Sequence, residues 1–144
     1  MIIIDTNVFI AMQIKPGIVR RLIIDNHDRF IAPDFMFDEA WENRSYWNKN
    51  NIPDDDLEHL FKKSYDYIGR IPICVYESKM DHAKRMIMDP DDVSFIALAL
   101  SIENEGIWTF NTTDFMRVEV TDMIDILTTK DVVRAIYDRD SIDG

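Results

Sequence analysis

Short apolar runs alternate with longer amphipathic segments along the chain, and few folds accommodate this alternation. The short runs are predicted to be buried strands, at 2–4, 29–32, 73–76, 107–110 and 123–127. The amphipathic segments are predicted to be helices, at 8–12, 17–24, 33–48, 53–68, 78–88, 89–105 and 128–137. Strands that alternate with helices are typical of a parallel sheet. The sequence therefore predicts an α/β, three-layer sandwich: a central parallel sheet with helices on both faces.

The chain length favours one domain, and its composition favours the cytoplasm. The 144 residues, 1–144, suffice for a single domain with a core that needs no disulfides. The one cysteine, Cys74, excludes an internal disulfide and indicates a reducing, cytoplasmic setting. It lies in the apolar run 73–76, so we expect it to be buried. Asp5 ends the first apolar run, so no targeting or membrane segment is expected.

The charge balance restricts the possible partners. Lys and Arg number 16 against 27 Asp and Glu, which gives a net charge of −11. A broad nucleic-acid-binding face is disfavoured, because phosphate contacts require Lys and Arg. Three options remain: a local basic strip, a basic protein partner, or carboxylates that hold metal ions.

Acidic and amide side chains follow two of the predicted strands. Asp5 comes directly after the first strand, and Asn111 and Asp114 follow the run 107–110. In open parallel sheets, sites form beyond the carboxyl ends of the strands. Asp5 is also a favourable N-cap for the next helix. Taken alone, Asp5 is equally consistent with a helix cap and with a functional-site residue.

The angular position of each residue around its predicted helix distinguishes two further acids, Asp92 and Glu39, from their neighbours. Phe95, Ile96 and Ala99 fall within about 60° of Asp92, so Asp92 faces the apolar side, and no Lys or Arg follows within ten positions. A function is favoured there over simple capping, because a buried unpaired carboxylate is costly. Glu39 borders the apolar face of its helix whereas Asp38 points away, and a solvated edge position remains equally open for Glu39.

Three inward-facing acids on separate segments suggest a shared ligand. Carboxylates brought close together repel one another unless a cation lies between them. Their oxygens suit Mg²⁺ or Mn²⁺, and such ions support phosphodiester hydrolysis.

Four motifs make the chain resemble the PIN-domain ribonucleases, including the VapC-type toxin subunits of toxin–antitoxin pairs. The matching pieces, which span nearly the whole chain in the family's order, are 3–7 (Ile-Ile-Asp-Thr-Asn), Glu39, Asp92 with 96–99 (Ile-Ala-Leu-Ala), and 109–115 (Thr-Phe-Asn-Thr-Thr-Asp-Phe). The resemblance implies a PIN-like sandwich whose acidic cluster binds Mg²⁺ or Mn²⁺ and cleaves RNA.

The resemblance also assigns residue roles. Asp5, Glu39 and Asp92 match the family's first three catalytic, metal-binding acids, and Asp114 matches a further acid of many members. Asn111 stands where the family usually has Asp, and Asn keeps an oxygen acceptor but loses the charge. Either Asp114 completes the metal shell, or the chain binds metal less tightly. The substitute or supporting ligands are Thr6, Asn7 and Asn111.

The resulting hypothesis is a metal-dependent endoribonuclease that acts as the toxin of a toxin–antitoxin pair. The family habit implies a homodimer, and an acidic toxin would suit a basic antitoxin segment. Arg44 and Lys49 are candidate RNA-binding residues beside the Glu39 helix. The alternative is a weak or inactive PIN-like scaffold that binds RNA or protein, which Asn111 motivates. An Asp5-nucleophile phosphatase ranks last, because Asn7 stands where its proton donor is expected.

Overall fold

Five parallel strands form one sheet in the order β3-β2-β1-β4-β5. This computed structural model describes the backbone of residues 1–143 and the side chains of residues 1–138. The strands are β1 (Ile2–Ile4), β2 (Phe30–Pro33), β3 (Ile68–Ile71), β4 (Ile107–Trp108) and β5 (Ile126–Leu127). β1 lies at the centre of the sheet, where Ile3 is in register with Ile31 on one side and Ile107 on the other.

Helices cover the sheet, and the burial of β1 shows that both faces are packed. Its three consecutive isoleucines are fully buried. Successive strand residues point to opposite faces, so such a run is buried only when both faces are covered. The helices are α1 (Thr6–Ile14), α2 (Ile18–Asp25), α3 (Asp34–Glu42), α4 (Arg44–Trp47), α5 (Asp54–Ser64), α6 (Ile73–Tyr76), α7 (Met80–Met86), α8 (Val93–Ser101), α9 (Thr112–Phe115), α10 (Val118–Thr121) and α11 (Thr129–Asp143).

The helices fall into contacting groups. Helix α1 contacts α2, α3 and α5, whereas α8 contacts α6, α7 and β2. The predicted α/β sandwich with a central parallel sheet is confirmed. Within the described residues, no helix combines the length and the apolar character needed to cross a bilayer.

One predicted strand is wrong. The run 73–76 forms the short helix α6, and the strand β3 lies just before it, where only Ile68 had a predicted element, as the last residue of the helix 53–68. β3 is an edge strand that pairs only with β2, so Gly69 and Arg70 are tolerated at exposed positions. Pro72 then ends the strand, because it has no N–H for the ladder. Cys74 is exposed in α6, contrary to the prediction of a buried cysteine.

Two predicted helices are each divided into two shorter elements. The segment 33–48 is divided at Asn43 into α3 and α4, and the Asn43 side chain and backbone N–H both donate to the Glu39 carbonyl. The segment 89–105 is a 3₁₀ turn (Pro90–Asp92) followed by α8, which ends at Ser101. There the Asn104 side chain donates to the Ala99 carbonyl at 2.9 Å and satisfies one of the last backbone acceptors.

Gly106 does not end α8 but allows close packing before β4. Its φ is +132°, and a Cβ atom there would lie 2.5 Å from the Asp125 carbonyl oxygen. The preceding connection can therefore enter β4 only with glycine at this position.

The substitution Gly106→Ala should lower the free energy of unfolding by about 2–4 kcal/mol, because it adds backbone strain and a steric clash. Chemical denaturation measures the change. Gly17→Ala is the matched control, since a Cβ at Gly17 meets no atom within 4 Å. Equal stability of the two variants would show that the approach of Gly106 to Asp125 is unimportant.

Candidate active site

The sheet order brings the carboxyl ends of β1 and β4 together. The chain places β2 and β3 on one side of β1, then crosses back to place β4 and β5 on the other. This reversal is the topological switch point at which open α/β sheets hold ligands. Asp5 follows β1, and its backbone N–H donates to the carbonyl of Trp108 in β4 at 3.0 Å.

Asp5 caps a helix and also lines the cleft at this edge. Its Oδ1 accepts the backbone N–H of Thr6 at 2.8 Å, and this bond caps α1. Its Oδ2 accepts the hydroxyl of Thr109 at 2.7 Å. Burial raises the pKa of this carboxyl above its usual value, and the two hydrogen bonds oppose that rise. The two sequence interpretations of Asp5 are therefore compatible.

Thr109 is a positioning residue to which sequence analysis gave no role. It is buried just after β4, and its hydroxyl donates to Asp5 while accepting the backbone N–H of Asn111 at 3.0 Å. One hydroxyl thus links the segments after β1 and β4. Nearby, the Asn7 side chain accepts the N–H of Phe110 at 3.4 Å. The sequence offered one signal for this role, because Thr109 is the hydroxyl-bearing residue in the otherwise apolar run 107–110.

Asp92 is a buried carboxylate whose pKa is strongly raised. It ends the 3₁₀ turn before α8 and is 9% exposed, and its Oδ2 has no hydrogen-bond partner within the described part of the chain. Burial, followed by the charges of Asp5 and other acids nearby, raises its pKa to about 7. A buried carboxylate oxygen without a partner favours a cation as its ligand.

One cleft of about 280 Å³ collects the predicted site residues. Its lining residues are Asp5, Thr6, Asn7, Ile10, Glu39, Ala40, Asn43, Trp47, Asp89, Asp91, Asp92, Asn111 and Asp114. This set includes every acid predicted for the site as well as Thr6, Asn7 and Asn111. None of the described residues lining it is Lys or Arg.

Glu39 and Trp47 form one side of the cleft. Glu39 is half-buried on α3, and burial raises its pKa, with a further contribution from Asp91. The Trp47 indole N–H donates to the Ala40 carbonyl at 2.9 Å, and its ring stacks on Phe61 with centroids 5.9 Å apart. These contacts hold Trp47 as a rigid aromatic wall.

Asp89 and Asp91 line the cleft in addition to the predicted acids. The Asp89 carboxylate accepts the Asp91 N–H at 3.0 Å and so caps the 3₁₀ turn. Both residues also add negative charge beside Asp92. Their closeness to Asp92 in the sequence was the available signal for a place in the cleft.

The two predicted RNA-binding cations lie outside the cleft lining. Arg44 donates to the two carboxylate oxygens of Asp54 at 3.1 and 3.2 Å and lies over the Trp41 ring. Lys49 is exposed, and no ion pair involves it within the described residues. Arg44 is thus engaged within the protein, whereas Lys49 is available to a ligand.

The acids surround the cleft without forming a closed ligand cage. Within residues 1–138, no three Asp, Glu, His or Cys side chains lie close enough together to hold one ion. The chemistry of the donor set nevertheless suits a hard divalent cation, because the side-chain donors are oxygens and include the Asp92 Oδ2, which has no partner among the described side chains.

The family assignment agrees with this fold and this cleft. The sequence model of the PIN domain matches residues 3–133. The chain therefore belongs to the PIN domain family, which has a nuclease-type fold. Comparison with curated proteins finds no match.

The raised pKa of Asp92 should make the metal-free protein less stable as the pH rises. The Asp92 carboxyl keeps its proton up to about pH 7 in the folded state, whereas it loses the proton near pH 3.8 in the unfolded state. The free energy of unfolding therefore falls as the pH rises from about 3.8 to about 7. Solvent screening reduces the effect below the full value of this shift, so we expect a contribution of about 1–3 kcal/mol at pH 8.

Asp92→Asn should flatten this slope and raise the free energy of unfolding at pH 8 by about 1–3 kcal/mol. Urea titrations from pH 5 to 8 with EDTA measure it. Asp38→Asn alters an exposed carboxylate on α3 and should keep the wild-type slope. An unchanged slope in Asp92→Asn would contradict the assignment.

Proposed function

We propose that this protein is an endoribonuclease that uses Mg²⁺ or Mn²⁺ to hydrolyse RNA phosphodiester bonds. The observation that carries the proposal is the buried Oδ2 of Asp92, which has no hydrogen-bond partner among residues 1–138 and lies in a cleft shared with Asp5 and Asp114. In a member of a nuclease-type family, such an arrangement is most simply stabilised by a divalent cation.

The residues around the cleft have distinct roles in this proposal. Asp5, Glu39, Asp92 and Asp114, which all line the cleft, would hold the metal. A bound divalent ion supplies Lewis acidity, which activates water and offsets the charge of the phosphate. Thr109 and the Thr6 N–H keep the Asp5 carboxylate oriented, so its oxygens need not reorganise when RNA binds.

The RNA approaches a cleft whose acids repel phosphate until metal is bound. Trp47 provides an aromatic surface on one wall, and Lys49 is an exposed cation on the segment just after α4. Base stacking on an aromatic ring tolerates any sequence. We therefore assign RNA contacts to Lys49, and to Arg44 if its pair with Asp54 opens.

A catalytically silent scaffold is the second candidate, and Asn111 is the residue that favours it. Asn111 lines the cleft, and its backbone N–H is held by Thr109. Asp114 lies three residues further along the same cleft, and its charge raises the pKa of both Asp5 and Asp92. Asp114 is thus close enough to supply the carboxylate that Asn111 lacks.

The toxin role is the most specific part of the proposal. The net charge of −11 suits a basic antitoxin segment, and a homodimer follows the habit of toxin-like relatives. Co-purification of a small basic partner that blocks RNA cleavage would support this role.

Asp5→Asn and Asp92→Asn should each lower kcat for single-stranded RNA by about 100-fold or more, because each removes a metal-binding charge. A fluorescent RNA cleavage assay with Mn²⁺ measures the loss, and EDTA should abolish the wild-type rate. Asp38→Asn, on the exposed face of α3, should cleave like the wild type. Full activity in both cleft variants would reject the mechanism.

Direct Mn²⁺ binding separates the nuclease from the scaffold. Calorimetry should show saturable heat for the wild type, a weaker site in Asp114→Asn, and an affinity about 10-fold higher in Asn111→Asp, because a carboxylate replaces a neutral amide. Absence of heat in the wild type, with RNA binding retained, would favour the scaffold.

A further inference from the structure

A second pocket lies toward the opposite end of α1 from the candidate active site. Its volume is about 240 Å³, and residues of α1, α2 and α5 line it. Asp5 lines the active-site cleft at the start of α1, whereas Gln13, near the end of α1, lines this pocket. The two residues are about 12 Å apart along the helix axis, at about 1.5 Å per residue. We call this second cavity the Gln13 pocket.

The Gln13 side chain lacks a partner within the described residues. Gln13 is 2% exposed, and its Nε2 makes no hydrogen bond there. Buried side-chain donors are nearly always paired, so an unpaired one indicates a ligand or an ordered solvent molecule. The amide carries two N–H groups, so the missing partner is a hydrogen-bond acceptor.

The charge of the Gln13 pocket is opposite to that of the protein. Arg20 and Lys63 line it, and none of its described lining residues is Asp or Glu, although the chain has a net charge of −11. Lys63 is exposed and makes no ion pair within the described residues. Tyr67 adds a hydroxyl group, whereas the Ser64 hydroxyl already donates to the Phe61 carbonyl.

Arg20 retains donors after its contacts with α1. Its Nε and Nη2 donate to the carbonyls of Met12 and Gln13 at 2.8 and 2.9 Å. These two bonds use two of the five guanidinium N–H groups and leave both Nη1 hydrogens and one Nη2 hydrogen for other partners. Arg20 therefore caps the end of α1 and still has N–H groups for a ligand.

Several carbonyls at the helix ends beside the pocket already accept hydrogen bonds, which lessens their repulsion of an anion. On α1, the carbonyls of Met12 and Gln13 accept from Arg20. On α5, the carbonyl of Phe61 accepts the Ser64 hydroxyl, and those of Lys63 and Ser64 accept backbone N–H groups. The negative end of each helix dipole is therefore partly neutralised before a ligand arrives.

We propose that the Gln13 pocket binds a phosphate group in its dianionic form. Two cations match a charge of about −1.5 to −2 at neutral pH, and the phosphate oxygens are the acceptors that the Gln13 amide lacks. A water molecule would satisfy the amide but would leave both cations without a counterion. Inorganic phosphate and the terminal phosphate of an oligonucleotide are the two sources of this group.

The test uses the full chain with EDTA, so that no metal at the active site can recruit phosphate. Calorimetry and thermal unfolding with inorganic phosphate should show saturable binding and a higher Tm. Lys63→Gln should weaken the affinity about 10-fold, as expected for loss of a charge-assisted contact. Lys62→Gln is the matched control: Lys62 is the neighbouring lysine, pairs with Glu58 and does not line the pocket.

Gln13→Met provides a variant that should fold well, because it replaces an unpaired buried amide with an apolar side chain of similar length. It should raise the Tm without phosphate and reduce the further rise with phosphate. Equal loss of affinity in the Lys62 and Lys63 variants would indicate general charge attraction and overturn the proposal.

A short RNA with and without a 5′-terminal phosphate separates the two sources. Tighter binding of the phosphorylated RNA that is lost in Lys63→Gln supports the oligonucleotide as the source, and saturable inorganic phosphate binding alone supports the free ion. If neither probe binds in a manner that depends on Lys63, the proposal is wrong. None of these outcomes depends on nuclease activity, so this proposal and the proposed function fail separately.

Discussion

The burial of β1 on both faces is the constraint from which the rest of the structure follows. Three fully buried isoleucines require helices on each side of the sheet, and they leave Asp5 as the first residue that can reach solvent at the edge. Because β1 is flanked by β2 and β4, this edge is also the switch point of the sheet. The fold that buries the isoleucines therefore places a carboxylate where a ligand can bind.

Electrostatic repulsion among carboxylates gives this edge its chemistry. Burial and mutual charge raise the pKa values of Asp5, Glu39 and Asp92, and the chain offsets only part of the cost at Asp5, through Thr109 and the Thr6 N–H. Asp92 has no such compensation within the described residues. A protein that keeps an uncompensated carboxylate gives up stability, and active sites are where such losses are common.

The two ends of α1 differ in charge. The beginning of the helix meets a cleft lined with acids, whereas Arg20 and Lys63 gather around its end. On a chain with a net charge of −11, this separation is a tertiary effect, because Lys63 comes from a helix distant in sequence. Under the two proposals, the beginning of α1 would face a divalent cation and its end would face a phosphate group.

Much of the fold and the central part of the cleft could be predicted from the sequence, because they depend on local patterns. Alternating apolar runs and helices predict the parallel sheet, and helical phase alone predicts that Asp92 faces inward. Local patterns failed where pairing decided the outcome: β3 is a strand because β2 binds it, although 73–76 is more apolar. Likewise, only the packed sheet brings Thr109 to Asp5 and turns Asp89 and Asp91 into the cleft. The sequence by itself determined which residues are apolar or charged and at what period. The tertiary structure decided which distant charges meet, because that depends on strand order and helix packing, which no single segment encodes.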